Sequence, residues 1–240
     1  MEPTRPSPSA SSSSEHVRYE RKFTATHVPV REIELLVRLH PSLFRVAYPP
    51  RDINNLYFDT LGMSSYREHT NGSANRRKTR IRWYGAAQGQ VTKPVLEFKG
   101  KRGLVNFKRS ENLPAFRFDG ELNEEGLVAA CRASDTPLEV IDHLASRRPV
   151  LFNRYRRQYF ETADRRVRLT IDYELRFADL GDRPQARQAT FVEEGLVVIE
   201  LKYRRDDERH GGIAAAELPF RLDRLSKYVR GVQRLTGWTE

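Results

Sequence analysis

The segment VVIELKY, Val197–Tyr203, sets Glu200 and Lys202 two positions apart in an otherwise apolar run. Residues two apart in a strand share a face, so this acid and base join Val198, while Ile199, Leu201 and Tyr203 take the other side. The pattern recurs. RRKTRIRWYG aligns Lys78, Arg80 and Arg82, and KPVLEFKGKRG aligns Glu97, Lys99 and Lys101 opposite Leu96 and Phe98. HVRYERKF aligns Arg18, Glu20 and Lys22; YRRQYF follows Tyr155 and Arg157; VRLTIDYEL aligns Arg168, Thr170 and Asp172. The charges facing away from large apolar residues are the cations Lys22, Arg80, Arg82, Lys99, Arg157, Arg168 and Lys202, joined by Lys227 from the last helical segment. Against these eight stand four anions, Glu20, Glu97, Asp172 and Glu200.

Two readings compete. An antiparallel sheet with one wet face carries cross-strand Lys–Glu pairs as a matter of course, and for one strand that reading suffices. It weakens over six strands whose repeated residue is Arg or Lys, with little Thr or Ser between. If the charged face instead points inward, two like charges about 6 Å apart repel by roughly 3 kcal/mol at an effective dielectric of 20. A dry core does not tolerate several such pairs; a wet tunnel that binds a polyanion does. Arg then offers planar, bidentate contact to phosphate oxygens and Lys a mobile point charge. The carboxylates would space the cations or hold a hard divalent metal. No G-x-x-x-x-G-K-[ST], G-x-G-x-x-G, H-E-x-x-H or G-x-S-x-G motif offers another route to phosphate or acyl chemistry.

The elements that must position these residues follow from periodicity. HVRYERKFTAT, NNLYFDT, the two basic segments above, LVNFKRSENL returning across Gly103, PVLFNRYRRQYF paired with RRVRLTIDYEL near Ala163-Asp164, and VVIELKY are predicted strands. VPVREIELLVRLH, with Val30, Ile33, Val37 and His40 in step, is a predicted helix ended by Pro41. Thr136-Pro137-Leu138-Glu139 reads as a capping box opening a helix through Leu138, Ile141 and Leu144. FRLDRLSKYVRGVQRL reads as a final helix with Leu222, Leu225, Val229 and Val232 on one side and Lys227 near its middle. About eight strands and three or four helices are expected, an α+β fold whose sheet curls or closes.

Composition sets the outer limits. The chain has 240 residues, 38% of them hydrophobic and 31% charged, enough for one cored domain. A net charge of +10 calls for an anionic partner: nucleic acid, an acidic membrane surface or phosphate compounds. One cysteine, Cys131, excludes an internal disulfide and a cysteine-rich zinc site and suits the cytoplasm. No apolar run approaches the roughly 20 residues of a membrane span. The Ser- and Pro-rich residues 1–15 are expected to be a disordered tail, with residues 16–240 a single domain. Tyr19, Tyr57, Trp83, Tyr84 and Tyr155 are possible base-stacking surfaces, but the apolar pattern around Tyr19, Trp83 and Tyr84 places those three in the core.

Taken in order, VRYERKF, LYFDT, TRIRWYG, LEFKGKRG, YRRQYF, VRLTIDYEL, VVIELKY and LSKYVRGV resemble the vacuolar transporter chaperone (VTC) domain of the CYTH-like triphosphate tunnel metalloenzymes. The resemblance spans residues 16 to 236. It implies a closed, mainly antiparallel eight-stranded β-tunnel with helices packed outside, and chemistry dependent on Mn2+ or Mg2+. The implied activity is polyphosphate polymerisation, in which the γ-phosphate of ATP passes to a growing chain. On the matching positions it makes Arg157, Arg168 and Lys227 catalytic, and gives phosphate binding to Lys22, Arg80, Arg82, Lys99 and Lys202. Glu200 becomes the metal ligand, with Glu20 and Glu97 either further ligands or, as preferred, residues that position Lys22 and Lys99. The wider superfamily opens on Glu-x-Glu-x-Lys; here Arg18 replaces the first acid, which leaves the number of carboxylate ligands open. A tripolyphosphatase or nucleoside triphosphatase of the same fold is the alternative, as is a non-catalytic polyphosphate- or RNA-binding module. Nucleic acid is the less favoured partner, and Glu200 counts against a binding-only module, because a carboxylate repels phosphate unless a metal lies between. The family's eukaryotic enzymes work beside membrane segments, so this chain either acts alone in the cytoplasm or has a separate membrane partner.

Overall fold

The computed structural model describes residues 18–102, 105–181 and 189–238. The tail expected over residues 1–15 and the turn expected at Gly103 lie outside them. The chain begins with β1 (Arg18–Thr26), α1 (Val30–Arg38), β2 (Arg45–Asp59), α2 (Ser64–Thr70), β3 (Asn75–Tyr84), β4 (Gly89–Val91), β5 (Val95–Arg102) and β6 (Val105–Asn112). It continues through β7 (Phe116–Phe118), α3 (Glu124–Arg132), α4 (Leu138–Ala145), β8 (Arg148–Glu161) and β9 (Val167–Asp179). It ends with β10 (Thr190–Glu193), β11 (Leu196–Arg204), α5 (Glu208–Ala216), β12 (Arg221–Asp223) and α6 (Lys227–Thr236).

The fold is α+β, but the strand count departs from expectation. Ten strands, not eight, form one antiparallel sheet in the order β12-β1-β11-β9-β8-β2-β3-β5-β6, with β10 on β9; β4 and β7 make a separate pair. The additions are short edge strands, too brief for a period of two to announce. No hydrogen-bonded pairing joins β12 to β6 among the described residues; enclosure comes from curl. Laid flat, β1 and β5 would stand six strand spacings apart, about 29 Å. Yet Lys99 of β5 lies close enough to Glu20 of β1 and Lys202 of β11 for their charges to shift its ionisation. Likewise Lys78 of β3 donates to Ser226 Oγ at 2.7 Å, while the adjacent Lys227 reaches Asp172 of β9 at 2.6 Å. One helix start thus touches strands from both sides of the sheet.

Apolar residues sort by face. On the convex side, Phe23, Leu169, Ile171, Ile199 and Leu201 pack under α1 and α5; Leu56, Ile81, Trp83 and Leu96 pack under α3 and α4. In α1 the spacing of Ile33 and Val37 puts both at full burial, each contributing about 1.5–3 kcal/mol. On the concave side a third cluster, including Ile53, Tyr57, Leu151, Tyr155 and Val198, packs against Leu225, Tyr228 and Val232 around α6. That helix plugs one end of the concavity. A methyl on Gly231 would lie 2.5 Å from Phe177 Cδ1, so only glycine permits this approach. The Tyr228 hydroxyl donates to Asp59 Oδ2, which also accepts the Tyr66 N–H at 3.0 Å.

Two predicted helix starts are corrected. The final helix begins at Lys227, not near residue 220: Ser226 caps it by accepting from the Val229 N–H, and Arg221–Asp223 pairs with β1 instead. Lys227 is therefore the first helical residue rather than a mid-helix one. The expected capping box at Thr136 does not form; α4 starts after Pro137 without a side-chain cap, and Glu139 pairs with Arg109.

Candidate functional site

The sheet register brings the charged residues together on the concave face. On the side built by β8, β9, β11 and β1, Arg157, Lys227, Lys202 and Lys22 each meet a carboxylate. Arg157 makes a two-pronged contact with Asp172, its directly paired neighbour across β8 and β9, with Nη2 2.7 Å from Oδ2. The same guanidinium lies 3.5 Å from Glu200. Lys227 stands 2.6 Å from Asp172 and 3.6 Å from Glu200, with its ammonium 4.9 Å from the centre of the Tyr155 ring. Lys202 reaches Glu200 at 2.7 Å and Glu20 at 3.7 Å, and Lys22 reaches Glu20 at 2.9 Å.

The side chains of Arg157, Lys227, Asp172 and Glu200 are largely buried, which is tolerable only because they are paired; Lys22 and Lys202 are half-buried and Glu20 is exposed. Burial would raise the Glu200 carboxyl, but Lys202, Lys227, Arg157 and Lys22 hold it well below the usual carboxylate range. Burial likewise opposes ionisation of Asp172, and Arg157 and Lys227 overcome it. For Glu20, burial and the nearby Glu200 push upward, while Lys202 and Lys22 prevail and keep it low.

The opposite side, built by β3 and β5, is poorer in carboxylate. Glu97 serves Arg80 at 2.6 Å, Lys108 at 3.0 Å and Arg82 at 3.7 Å. It thus positions Arg80 rather than the expected Lys99. Arg80 also donates to the Tyr57 hydroxyl at 3.2 Å, and Arg82 to Asn55 Oδ1 at 3.1 Å. Lys99 and Lys78 have no ion pair among the described residues. Arg80 first, then burial and Lys202, push the Lys99 amine down to about 7. Burial, with Lys22, Arg80 and Lys99 around it, drives Lys78 well below the ordinary lysine value.

Arg168 shares the face of Thr170 and Asp172 but is exposed at the end away from α6. Tyr84, expected in the core, is 51% exposed at that same end, whereas Trp83 is buried as expected. Two residues gain weight beyond the sequence reading. Lys78 already shares the face of Arg80 and Arg82 by period, but only the curl brings it to Lys22. Asp172 was legible as an inward anion; that it binds both Arg157 and Lys227 was not.

The donor set bears on a divalent metal. Among the described residues no three acidic, histidine or cysteine side chains gather as a metal cage. Glu200, with Glu20 near enough to feel its charge, offers hard carboxylate oxygens of the kind that hold Mg2+ or Mn2+ jointly with phosphates and water. The residues fit that shared mode. Glu97 lies apart from this pair, among the cations Arg80, Arg82, Lys108 and Lys99.

A family model described as the VTC domain matches residues 17–236. No match was found among curated proteins. The fold is similar to that of the PH1819 protein of Pyrococcus horikoshii OT3, at 14% identity and a TM-score of 0.50, covering 90% of this chain and 99% of that one. The Hippeastrum protein HpAC1, described as having a dominant triphosphatase activity, is similar at 17% identity and a TM-score of 0.49, with 92% and 98% of the chains covered.

Proposed function

The chain belongs to the VTC domain family, and on that premise we propose that its concave face is a triphosphate tunnel in which the γ-phosphate of ATP is transferred to a polyphosphate chain. The observation that carries the reading is that the half-buried lysines beside Arg80 and Arg82, Lys78 and Lys99, make no ion pair among the described residues. Such a cluster is costly alone and is completed by a linear polyanion.

Phosphoryl transfer asks for positioning and charge neutralisation more than covalent chemistry. Lys22, Arg80, Arg82, Lys99 and Lys202 grip the phosphates. Arg157 and Lys227, held by Asp172, fix the orientation of the transferred group, and Arg168, exposed at the open end, adds a cation at the mouth. An acceptor phosphate is already ionised, so no side chain has to remove a proton. A bound Mn2+ or Mg2+ supplies charge neutralisation at phosphate oxygens, and Glu200, with Glu20 beside it, would hold it. The buried, unpaired Cys131 fits a reducing cytoplasm. No helix among the described residues is long and apolar enough to cross a membrane; a separate membrane partner stays part of the proposal.

The test incubates purified protein with ATP and manganese, with and without a short polyphosphate primer, and resolves products on a polyphosphate-stained gel while orthophosphate is assayed. Long chains are the expected result. Orthophosphate without chains would transfer the protein to the triphosphate hydrolases, and retention of polyphosphate without either product would leave a binding module.

A further inference from the structure

Four residues at the open end of the concave face are not used by the chemistry above. The guanidinium carbon of Arg51 lies 5.6 Å from the centre of the Tyr48 ring, 5.6 Å from that of Tyr84 and 5.8 Å from that of Tyr159. Tyr48 and Tyr159 meet edge to face at 5.8 Å. Arg51 has no ion pair among the described residues, so aromatic faces take the place that carboxylates hold around Arg157.

The position is as telling as the composition. Arg51 is the ladder partner of Arg157, Tyr159 follows Arg157 by two residues, and Tyr84 follows Arg82 by two. Residues two apart share a face about 6.7 Å along a strand, so the cluster extends the cation row outward by one step, away from the α6 plug. Packing alone does not explain it: Tyr84 is 51% and Tyr48 53% exposed, and the group at their centre is a cation. An inorganic phosphate chain has no use for tyrosine faces. A ligand that ends in a flat aromatic ring does.

We propose that Tyr48, Tyr84 and Tyr159, with Arg51 pinned among them, form a stacking platform for the base of a nucleoside triphosphate whose phosphates run inward along Arg82 and Arg157. The inference rests on the triphosphate reading of the inner site and adds what separates donor from product: the nucleotide gains a contact that an inorganic chain lacks. The platform selects for a ring and not for a particular base, since every base offers a π-face.

The experiment is calorimetric titration of wild type, Tyr84→Ala and Tyr84→Phe with ATP and with inorganic tripolyphosphate, in EDTA and again in calcium. Stacking of one base on one ring predicts that Tyr84→Ala weakens ATP about tenfold, leaves tripolyphosphate within twofold, and is rescued by Tyr84→Phe. Unchanged ATP affinity in Tyr84→Ala overturns the platform. An equal loss for both ligands overturns it too, by making the cluster a phosphate contact. Wild type that binds tripolyphosphate but not ATP removes the base site and spares the inner one. Wild type that binds neither under either condition overturns the inner site itself and the platform with it. A thermal melt of each variant, expected to match wild type because Tyr84 is half exposed, separates these results from misfolding.

Discussion

Lys227 lies against two carboxylates and Lys99 makes no ion pair among the described residues, although both belong to the same concave face. On the side of β8, β9, β11 and β1, every one of Arg157, Lys227, Lys202 and Lys22 meets a carboxylate of Asp172, Glu200 or Glu20, although the cations still outnumber these carboxylates by one. On the side of β3 and β5, Glu97 is shared among Arg80, Arg82 and Lys108, and Lys78 and Lys99 are left to repel their neighbours. The first side resembles a structural ion network; the second resembles half of one, whose missing half is an anion. Both kinds of charge are needed to move a phosphate: one set held in register, the other free to bind.

The contrast can be broken most directly at Glu200. Glu200→Gln should reduce metal-dependent ATP turnover on the order of 10³-fold, since a metal's charge stabilisation amounts to several kcal/mol, while polyphosphate retention on a filter stays intact. Normal turnover would remove Glu200 from the metal-holding role. Asp172→Asn tests the paired side for stability. It leaves Arg157 and Lys227 with only Glu200 between them, one buried charge short of pairing, and chemical denaturation should register a loss of about 3 kcal/mol.

The unpaired side should respond in the opposite sense. Lys99→Met relieves repulsion, so the ligand-free protein should gain about 1–2 kcal/mol at pH 6–7, while tripolyphosphate affinity by calorimetry falls about tenfold or more with the lost charged contact. A destabilised Lys99→Met would mean that the amine is already satisfied. The last effect is read in protons. Unfolded, Lys99 titrates near its ordinary 10.5, whereas folded it titrates near 7. Between those values the unfolded chain keeps a proton that the native chain has released, so ligand-free stability rises with pH from about 7 to about 10 and falls as pH drops toward 7. Phosphate beside Lys99 restores its charge, so tripolyphosphate binding at pH 8 should take up close to one proton. Titration in buffers of different ionisation heat measures it, and zero uptake in wild type would contradict the depressed amine.

Much of the site was legible because a strand's period is local. Glu200 and Lys202, or Arg80 and Arg82, share a face whatever the rest of the chain does, and the paired faces of β8 and β9 follow from the short turn between them. Less was legible at the ends of elements. Lys227 reads as mid-helix because FRLDRLSKYVRGVQRL keeps helical spacing throughout; pairing of Arg221–Asp223 with β1 overrides that spacing, and the cap at Ser226 sets the start. Tyr84 reads as core because it follows Trp83 in an apolar pattern, yet it alternates onto the charged face and emerges at the open end.

The sequence by itself determined which side chains lie on one face, the α+β class, and the excess of cations over carboxylates on that face. Only the tertiary structure decided which cation meets which carboxylate. Lys78 and Lys22, or Lys99 and Glu20, sit on strands five or six places apart in the sheet, and no periodicity along a chain encodes a meeting across that span. The curl of the sheet brings them together, and the α6 start delivers Lys227 to Asp172 and Glu200, while Lys99 has no ion pair among the described residues. The reason is range: a strand's alternation is fixed by bond geometry over two residues, whereas a charge's partner and ionisation are fixed by whatever the fold places within a few ångströms.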